Sequence, residues 1–179
     1  MAELTTQAYE QIVESYAKEK TNFLFHNQGN VHALIVFKSI FRNAVSKVRI
    51  AAESLTNSEV ANNDEYLKAL KSFLDRPETH LQILLSNAPE NPIEYVLFNT
   101  LKSHEAYRAG RIEVRDGKGR NFRRNGLVCH FCTADSRMYR IETDVTNRKA
   151  ECNFGDKSTT EFLEKIFDEA FGQGTKVEW

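Results

Sequence analysis

Gly126-Leu127-Val128-Cys129-His130-Phe131-Cys132-Thr133-Ala134-Asp135-Ser136-Arg137-Met138-Tyr139-Arg140-Ile141-Glu142-Thr143-Asp144, closed by Asn153-Phe154-Gly155-Asp156, is the stretch on which the reading of this chain turns. Two runs rich in β-branched and aromatic residues flank Asp135-Ser136, which predicts a β-hairpin. In a strand, Val128, His130 and Cys132 share one face, and Leu127, Cys129 and Phe131 share the other. The turn length then sets the partner of His130. A two-residue turn at Asp135-Ser136 places Ile141 opposite it. A three-residue turn, Asp135-Ser136-Arg137, places Glu142 opposite His130 and Arg140 opposite Cys132. On the return strand Tyr139, Ile141 and Thr143 mark the core face, so Met138, Arg140, Glu142 and Asp144 face solvent or a cleft.

Working outward, helices and strands alternate without repeats or low-complexity linkers. Thr5 or Thr6 caps a first helix whose apolar positions are Ile12, Val13, Tyr16 and Ala17. After the break at Gly29-Asn30, Asn30 is expected to cap a second helix from Val31 to about Ala44. Lys47 to Glu53 predicts a strand, a polar loop follows, and a helix then runs to about Arg76, with Pro77 beyond it. His80 to Leu85 is the next strand, Asn91-Pro92 starts a helix reaching about His104, and Arg111 to Arg115 alternates as a half-buried strand. Ser158-x-x-Glu161 predicts a capping box for a last helix ending at Gly172. The strand-helix-strand order implies right-handed crossovers and parallel strands. Ligands in such sheets sit beyond the strands' carboxyl ends, here Glu53-Ser54, Ser86-Asn87 and Arg115-Asp116.

Length and composition bound the function. A chain of 179 residues with 41% apolar content suits a single core. A formal charge of −1 gives no global attraction to nucleic acid or membrane, so any electrostatic role must be local. No apolar run approaches a bilayer-spanning length, and Met1-Ala-Glu-Leu-Thr-Thr lacks the character of a secretory signal. A cytoplasmic protein without membrane association is the expectation. The three cysteines suit free thiols in a reducing compartment. Cys129 and Cys132 have C-x-x-C spacing, but residues three apart in a strand point to opposite faces, so no metal site and no cofactor are expected.

The hairpin, the preceding order of elements and the later Asn153 together resemble the C-terminal half of a phospholipase D-like domain over roughly residues 30–171. That family carries His-x-Lys on a strand, an Asp at the turn, a return strand and an Asn-bearing segment before a helix. The resemblance is nearest to degenerate members with His-Phe-x-x-x-Asp, Tyr-Arg-x-Glu-x-Asp and Ala-x-x-Asn-Phe. It implies an α/β fold: a mixed, largely parallel sheet covered by helices, with an N-terminal helical extension at 1–29, the domain proper at 30–172 and a tail at 173–179. It also implies that His130 matches the nucleophile that attacks a phosphodiester, that Asn153 loosely matches a phosphate-binding position, and that two copies form a homodimer to complete a site. Cys132 stands where the lysine belongs, and Asp135 arrives two residues early. A neutral thiol cannot stabilise a phosphorane as an ammonium does. Arg140 is the replacement cation if the three-residue register holds, with Glu142 orienting it or His130.

A second feature is the basic run from Arg108 to Arg124, in which Arg115, Lys118, Arg120, Arg123 and Arg124 surround Phe122. Arginine beside an aromatic and flexible glycines suits a polyanion such as nucleic acid or a nucleotide, whereas a solvated loop is the plain alternative. Likewise His130 with Arg140 and Glu142 is either a site or an ordinary cross-strand polar set. The reading carried forward is a catalytically degenerate domain that binds a phosphate-containing ligand or macromolecular partner. By family association it would be an accessory or sensor subunit in a larger bacterial defence-type assembly. The alternative is an active phosphodiesterase or nuclease using His130.

Overall fold

The computed structural model describes residues 5–179; residues 1–4, which open the expected N-terminal extension, lie outside the described residues. In chain order the elements are α1 (Thr6–Glu19), β1 (Phe25–Asn27), α2 (Gly29–Asn43), β2 (Lys47–Ala52), α3 (Asp64–Leu74) and β3 (His80–Leu85). A 3-10 turn (Pro92–Glu94), α4 (Val96–Ser103), α5 (Glu105–Arg108), β4 (Ile112–Asp116) and β5 (Phe122–Arg124) follow. The chain closes with β6 (Leu127–Ala134), β7 (Met138–Asp144), β8 (Lys149–Asn153), α6 (Lys157–Gln173) and β9 (Thr175–Lys176).

The α/β architecture has one mixed sheet in the order β1-β8-β7-β6-β2-β3-β4-β9, with β5 paired to β6 off that path. β2, β3 and β4 are parallel, as crossover helices require. β6 reverses direction against β2, and β7, β8 and β1 continue antiparallel to the edge. Both faces are covered, unequally. Residues of α1 to α5 bury one face in a continuous core that includes Val13, Ile40, Phe41, Phe73, Phe98, Ile50, Ile83 and Cys132. The other face is covered by α6, whose Leu163, Phe167 and Phe171 pack on Ala51, Leu84, Cys129, Phe131, Tyr139 and Ile141, with Phe122 of β5 at its margin. Each such large apolar side chain contributes about 2 kcal/mol by leaving water.

Several local expectations change. Asn30 lies inside α2, which starts at Gly29 after Gln28. Asp156, not Ser158, caps α6, accepting from the Thr159 N–H and hydroxyl. A carboxylate there also complements the helix dipole. The helix expected from Asn91 to His104 is broken at Tyr95 and His104, both extended, into a 3-10 turn, α4 and the short α5. β1, β5, β8 and β9 were not expected as strands. Asn125-Gly126, with φ of 53° and 81°, forms the tight turn between β5 and β6 that such a dipeptide favours. Residues 5–27 join the main core through Tyr9, Val13, Ala17 and Phe25. The tail docks as well: Val177 N–H donates to Val114 O, and the Trp179 ring lies 5.7 Å from those of Phe98 and Tyr107.

Gly155 passes so close to the loop after α1 that a Cβ there would sit 2.7 Å from the Asn22 nitrogen. No larger residue fits without moving backbone. This pins the start of α6 against the N-terminal segment.

Candidate functional site

The β6–β7 turn uses three residues, Asp135-Ser136-Arg137, with Asp135 and Ser136 both at φ 53°. Asp135 locks this turn against the loop entering β2. Its carboxylate accepts from the backbone N–H groups of Val45, Ser46 and Lys47 and from the Ser46 hydroxyl. Of the two registers, the structure therefore adopts the one that sets His130 opposite Glu142 and Cys132 opposite Arg140. Parity then does the rest, because all four side chains fall on the face covered by α1 to α5.

Arg140 and Glu142 are each only 3% exposed, so that face of β7 is buried and not solvated. Their charges are mutually satisfied. Glu142 Oε1 accepts from Arg140 Nη2 at 3.0 Å, while Oε2 lies 3.2 Å from His130 Nδ1 and 3.5 Å from Arg148 Nη1. Burial pushes the Glu142 carboxyl up, but the hydrogen bond from His130, the charge and hydrogen bond of Arg140 and the charge of Arg148 outweigh it. The net result lies below the ordinary carboxylate value. An ionised Glu142 only accepts, so His130 donates to it through Nδ1, which leaves Nε2 on the far side of the ring from the carboxylate.

Arg140 is fixed from three sides. Its Nε donates to Asn27 Oδ1 at 2.9 Å, and its guanidinium carbon stands 5.1 Å from the Phe37 ring centre. Asn27 in turn donates through Nδ2 to the Arg148 carbonyl at 2.7 Å, so one amide from β1 positions both arginines. Arg148 sits at φ 52°, the left-handed conformation that closes the turn from β7 into β8 and brings its side chain back beside Glu142. Its side chain is 27% exposed, which makes it the accessible cation of the group.

These groups line a cavity of ≈ 330 Å³ at the carboxyl end of β2, whereas the ends of β3 and β4, at Ser86-Asn87 and Arg115-Asp116, do not reach it. His130, Arg140, Glu142 and Arg148 form its polar wall, and Ala33, Phe37, Leu55, Val60, Ala61 and Tyr66 form an apolar one. The loop after β2 supplies Glu53 to Asn57 at the rim, in the place expected for a ligand in an open α/β sheet. Asn62 braces this loop by donating to the carbonyls of Leu55 and Asn57.

Cys132 is fully buried beneath the cluster, and burial pushes its thiol up to about 12, as it does that of Cys152. Neither supplies a thiolate at neutral pH. Cys129 belongs to the α6-side core and Cys132 to the opposite one, so the C-x-x-C pair diverges across the sheet.

The remaining sequence candidates divide. Asn153 pairs with Tyr139 and so lies on the α6 face, away from His130. Its Oδ1 accepts from the N–H groups of Gly155 and Asp156, and its Nδ2 donates to Asn22 Oδ1. It shapes the entry to α6 and does not line the cavity. The basic run is largely engaged internally. Arg115 pairs with Glu113, donates to the Phe171 carbonyl and stacks on that ring. Arg124 pairs with Glu151, and Arg123 donates to the Gly126 carbonyl. Arg120 reaches Gln173 and also lines a narrow cleft that it shares with His130 and Phe122. Lys118 is exposed on the adjacent turn. Sequence reasoning missed Asn27 and Arg148. The only local hint was the polar turn Asp144 to Arg148, which brings Arg148 back beside Glu142.

No protein-family model matches the chain, and no curated protein matches it. Solved structures do. TrmBL2, an archaeal chromatin protein with a novel mode of DNA binding, matches 96% of the chain at TM-score 0.61 and 14% identity. Nuc from Salmonella typhimurium, a phospholipase D family member, matches 88% at TM-score 0.57 and 12% identity. The chain has a phospholipase D-like fold. NucT from Helicobacter pylori agrees, matching 87% at TM-score 0.58 and 12% identity. The chain spans the full length of Nuc and NucT but 62% of TrmBL2. The mixed sheet with helices on both faces is thus common ground, while identities this low carry the fold alone. Among the described residues, no helix is long and apolar enough to cross a membrane.

Proposed function

We propose that this chain is a catalytically reduced phospholipase D-like domain that binds a phosphodiester in the His130 cavity. One observation carries the reading: His130, Arg140 and Arg148 converge on a single carboxylate at the wall of a cavity, with His130 Nε2 directed away from that carboxylate. Two guanidinium groups and an imidazole are a recognised means of holding phosphate oxygens. The position two residues after the histidine, lysine in the resembled pattern, is the neutral thiol of Cys132. Arg140 opposite it is already committed to Asn27 and Glu142, which favours binding over turnover.

The test pairs binding with turnover. Methyl phenyl phosphate should raise the melting temperature, since a ligand at 100 times its Kd adds about 2.7 kcal/mol to folding stability. His130→Ala should abolish that shift. Absence of any shift with this probe, with a dinucleotide and with single-stranded oligonucleotides would sink the proposal.

A second reading has its own support, the Glu142–His130 contact, because a carboxylate on Nδ1 orients an imidazole for attack through Nε2. In that case DNA, RNA or bis(p-nitrophenyl) phosphate is cleaved by the native chain and not by His130→Ala. The homodimer, and the accessory or sensor role in a larger assembly, rest on the resemblance. Light scattering on the purified chain tests the first, and copurification from the native source tests the second.

A further inference from the structure

The cavity has two properties beyond a capacity for phosphate: a fixed internal counter-charge and an apolar wall. Glu142 is buried and holds both arginines, so the two cations and one carboxylate leave a single positive charge when His130 is neutral. Glu53, on the rim, is exposed, and solvent screens it. The other titratable side chain of the wall, Tyr66, is buried and neutral, with its hydroxyl pushed well up by burial. A monoanion entering this site is matched in charge. A dianion is not, because its second charge is desolvated against Glu142 with no cation left to meet it. Beside the charges, Ala33, Phe37, Leu55, Val60, Ala61 and Tyr66 give the cavity an apolar lining with room for one planar or apolar group, in a volume within the usual range of small-ligand pockets.

We propose that the site selects a monoanionic phosphodiester carrying one planar or apolar substituent, that Glu142 excludes dianionic phosphomonoesters, and that Arg148 closes on the bound phosphate. This rests on the phosphodiester-binding reading above and adds the charge and shape of the ligand. Arg148 suits the clamping role because it is the exposed member of the group and contacts Glu142 at the long distance of 3.5 Å. Its guanidinium can rotate toward a ligand oxygen at little expense to the cluster. Arg140, fixed by Asn27, Glu142 and Phe37, provides the stationary half of the clamp.

Four probes decompose the claim: methyl phenyl phosphate, dimethyl phosphate, phenyl phosphate and inorganic phosphate, titrated calorimetrically at pH 8. At that pH the two diesters are monoanions, while phenyl phosphate and inorganic phosphate are predominantly dianions. Methyl phenyl phosphate should bind at least tenfold more tightly than phenyl phosphate, which differs in charge but keeps the ring. It should also bind at least tenfold more tightly than dimethyl phosphate, which keeps the charge but lacks the ring. Arg148→Gln should lower the methyl phenyl phosphate affinity at least tenfold, and Glu142→Gln should narrow or invert the preference over phenyl phosphate. Equal affinity for methyl phenyl and phenyl phosphate in the native chain overturns the charge selection, whatever Glu142→Gln does to folding. Equal affinity for dimethyl phosphate overturns the apolar subsite. An unchanged affinity in Arg148→Gln overturns the clamp. If none of the four binds, the phosphodiester reading itself fails, a result distinct from the other three.

Discussion

Two buried arginine–carboxylate clusters lie on opposite faces of the sheet, and their difference separates scaffold from site. On the α6 face, Arg49 Nη1 lies 2.9 Å from Glu164 Oε1, and its Nε and Nη2 grip Asp168. Glu164 also accepts from the Ser136 N–H and hydroxyl, so this group is closed by the turn it supports. On the other face, the cluster of His130, Arg140, Glu142 and Arg148 is equally buried at its centre but opens into a cavity, with one imidazole nitrogen left over. Arginine–carboxylate pairing closed over by the β6–β7 turn ties α6 to the sheet, whereas on the other face similar pairing borders a cavity. Burial of a charge pair is thus no sign of function by itself.

The comparison can be broken by substitution, starting with the scaffold cluster. Arg49→Met strands buried Glu164 and should cost about 3 kcal/mol of stability in urea unfolding, with ligand affinity of the folded fraction unchanged. A loss under about 1 kcal/mol would mean that the sealed cluster is not what holds α6. Arg148→Gln should do the reverse, losing tenfold or more in affinity, about 1.4 kcal/mol of binding, while the unfolding midpoint barely moves. Acid comes next. The Glu142 carboxyl sits below its ordinary value of 4.5 in the fold, so its contribution is fully present above that pH and is lost as pH falls through the lower folded value. Glu142→Gln should flatten the stability profile in that window and leave it unchanged at pH 7 to 8 relative to pH 6. Asp168→Asn should cost under about 1 kcal/mol, because that partner is half-exposed and solvent already screens it. Smallest of all, Cys132 and Cys152 should resist alkylation in the native state at pH 8 and react only on unfolding.

What the sequence made legible follows from the range of the interactions involved. The parallel strands β2 and β3 are short β-branched and aliphatic segments between clear breaks, and β4 and the β6–β7 hairpin follow from alternation. Its register was narrowed to two options and no further, because the deciding bonds run from Asp135 to residues 45 to 47, about 90 positions away. β1 and β9 are three and two residues long, too short for any periodicity to register. β5 is three residues long and two of them are exposed arginines, so its one signal in the sequence is the Asn125-Gly126 turn that follows it. At the site, His130, Arg140 and Glu142 could be named from one strand pair. Asn27 could not, because nothing near it in sequence indicates that its amide will reach β7.

Asn27 has a consequence for how the molecule comes into being. Its contacts to Arg140 and Arg148 span 113 and 121 residues. Contacts of that separation carry the entropic cost of closing the whole intervening chain. The parallel centre of the sheet can form while the two arginines are still unoriented, and the cavity acquires its polar wall only when β1 docks on β8. A chain in which β1 has not docked has the centre of the sheet but lacks the amide that orients Arg140 and ties down the Arg148 turn.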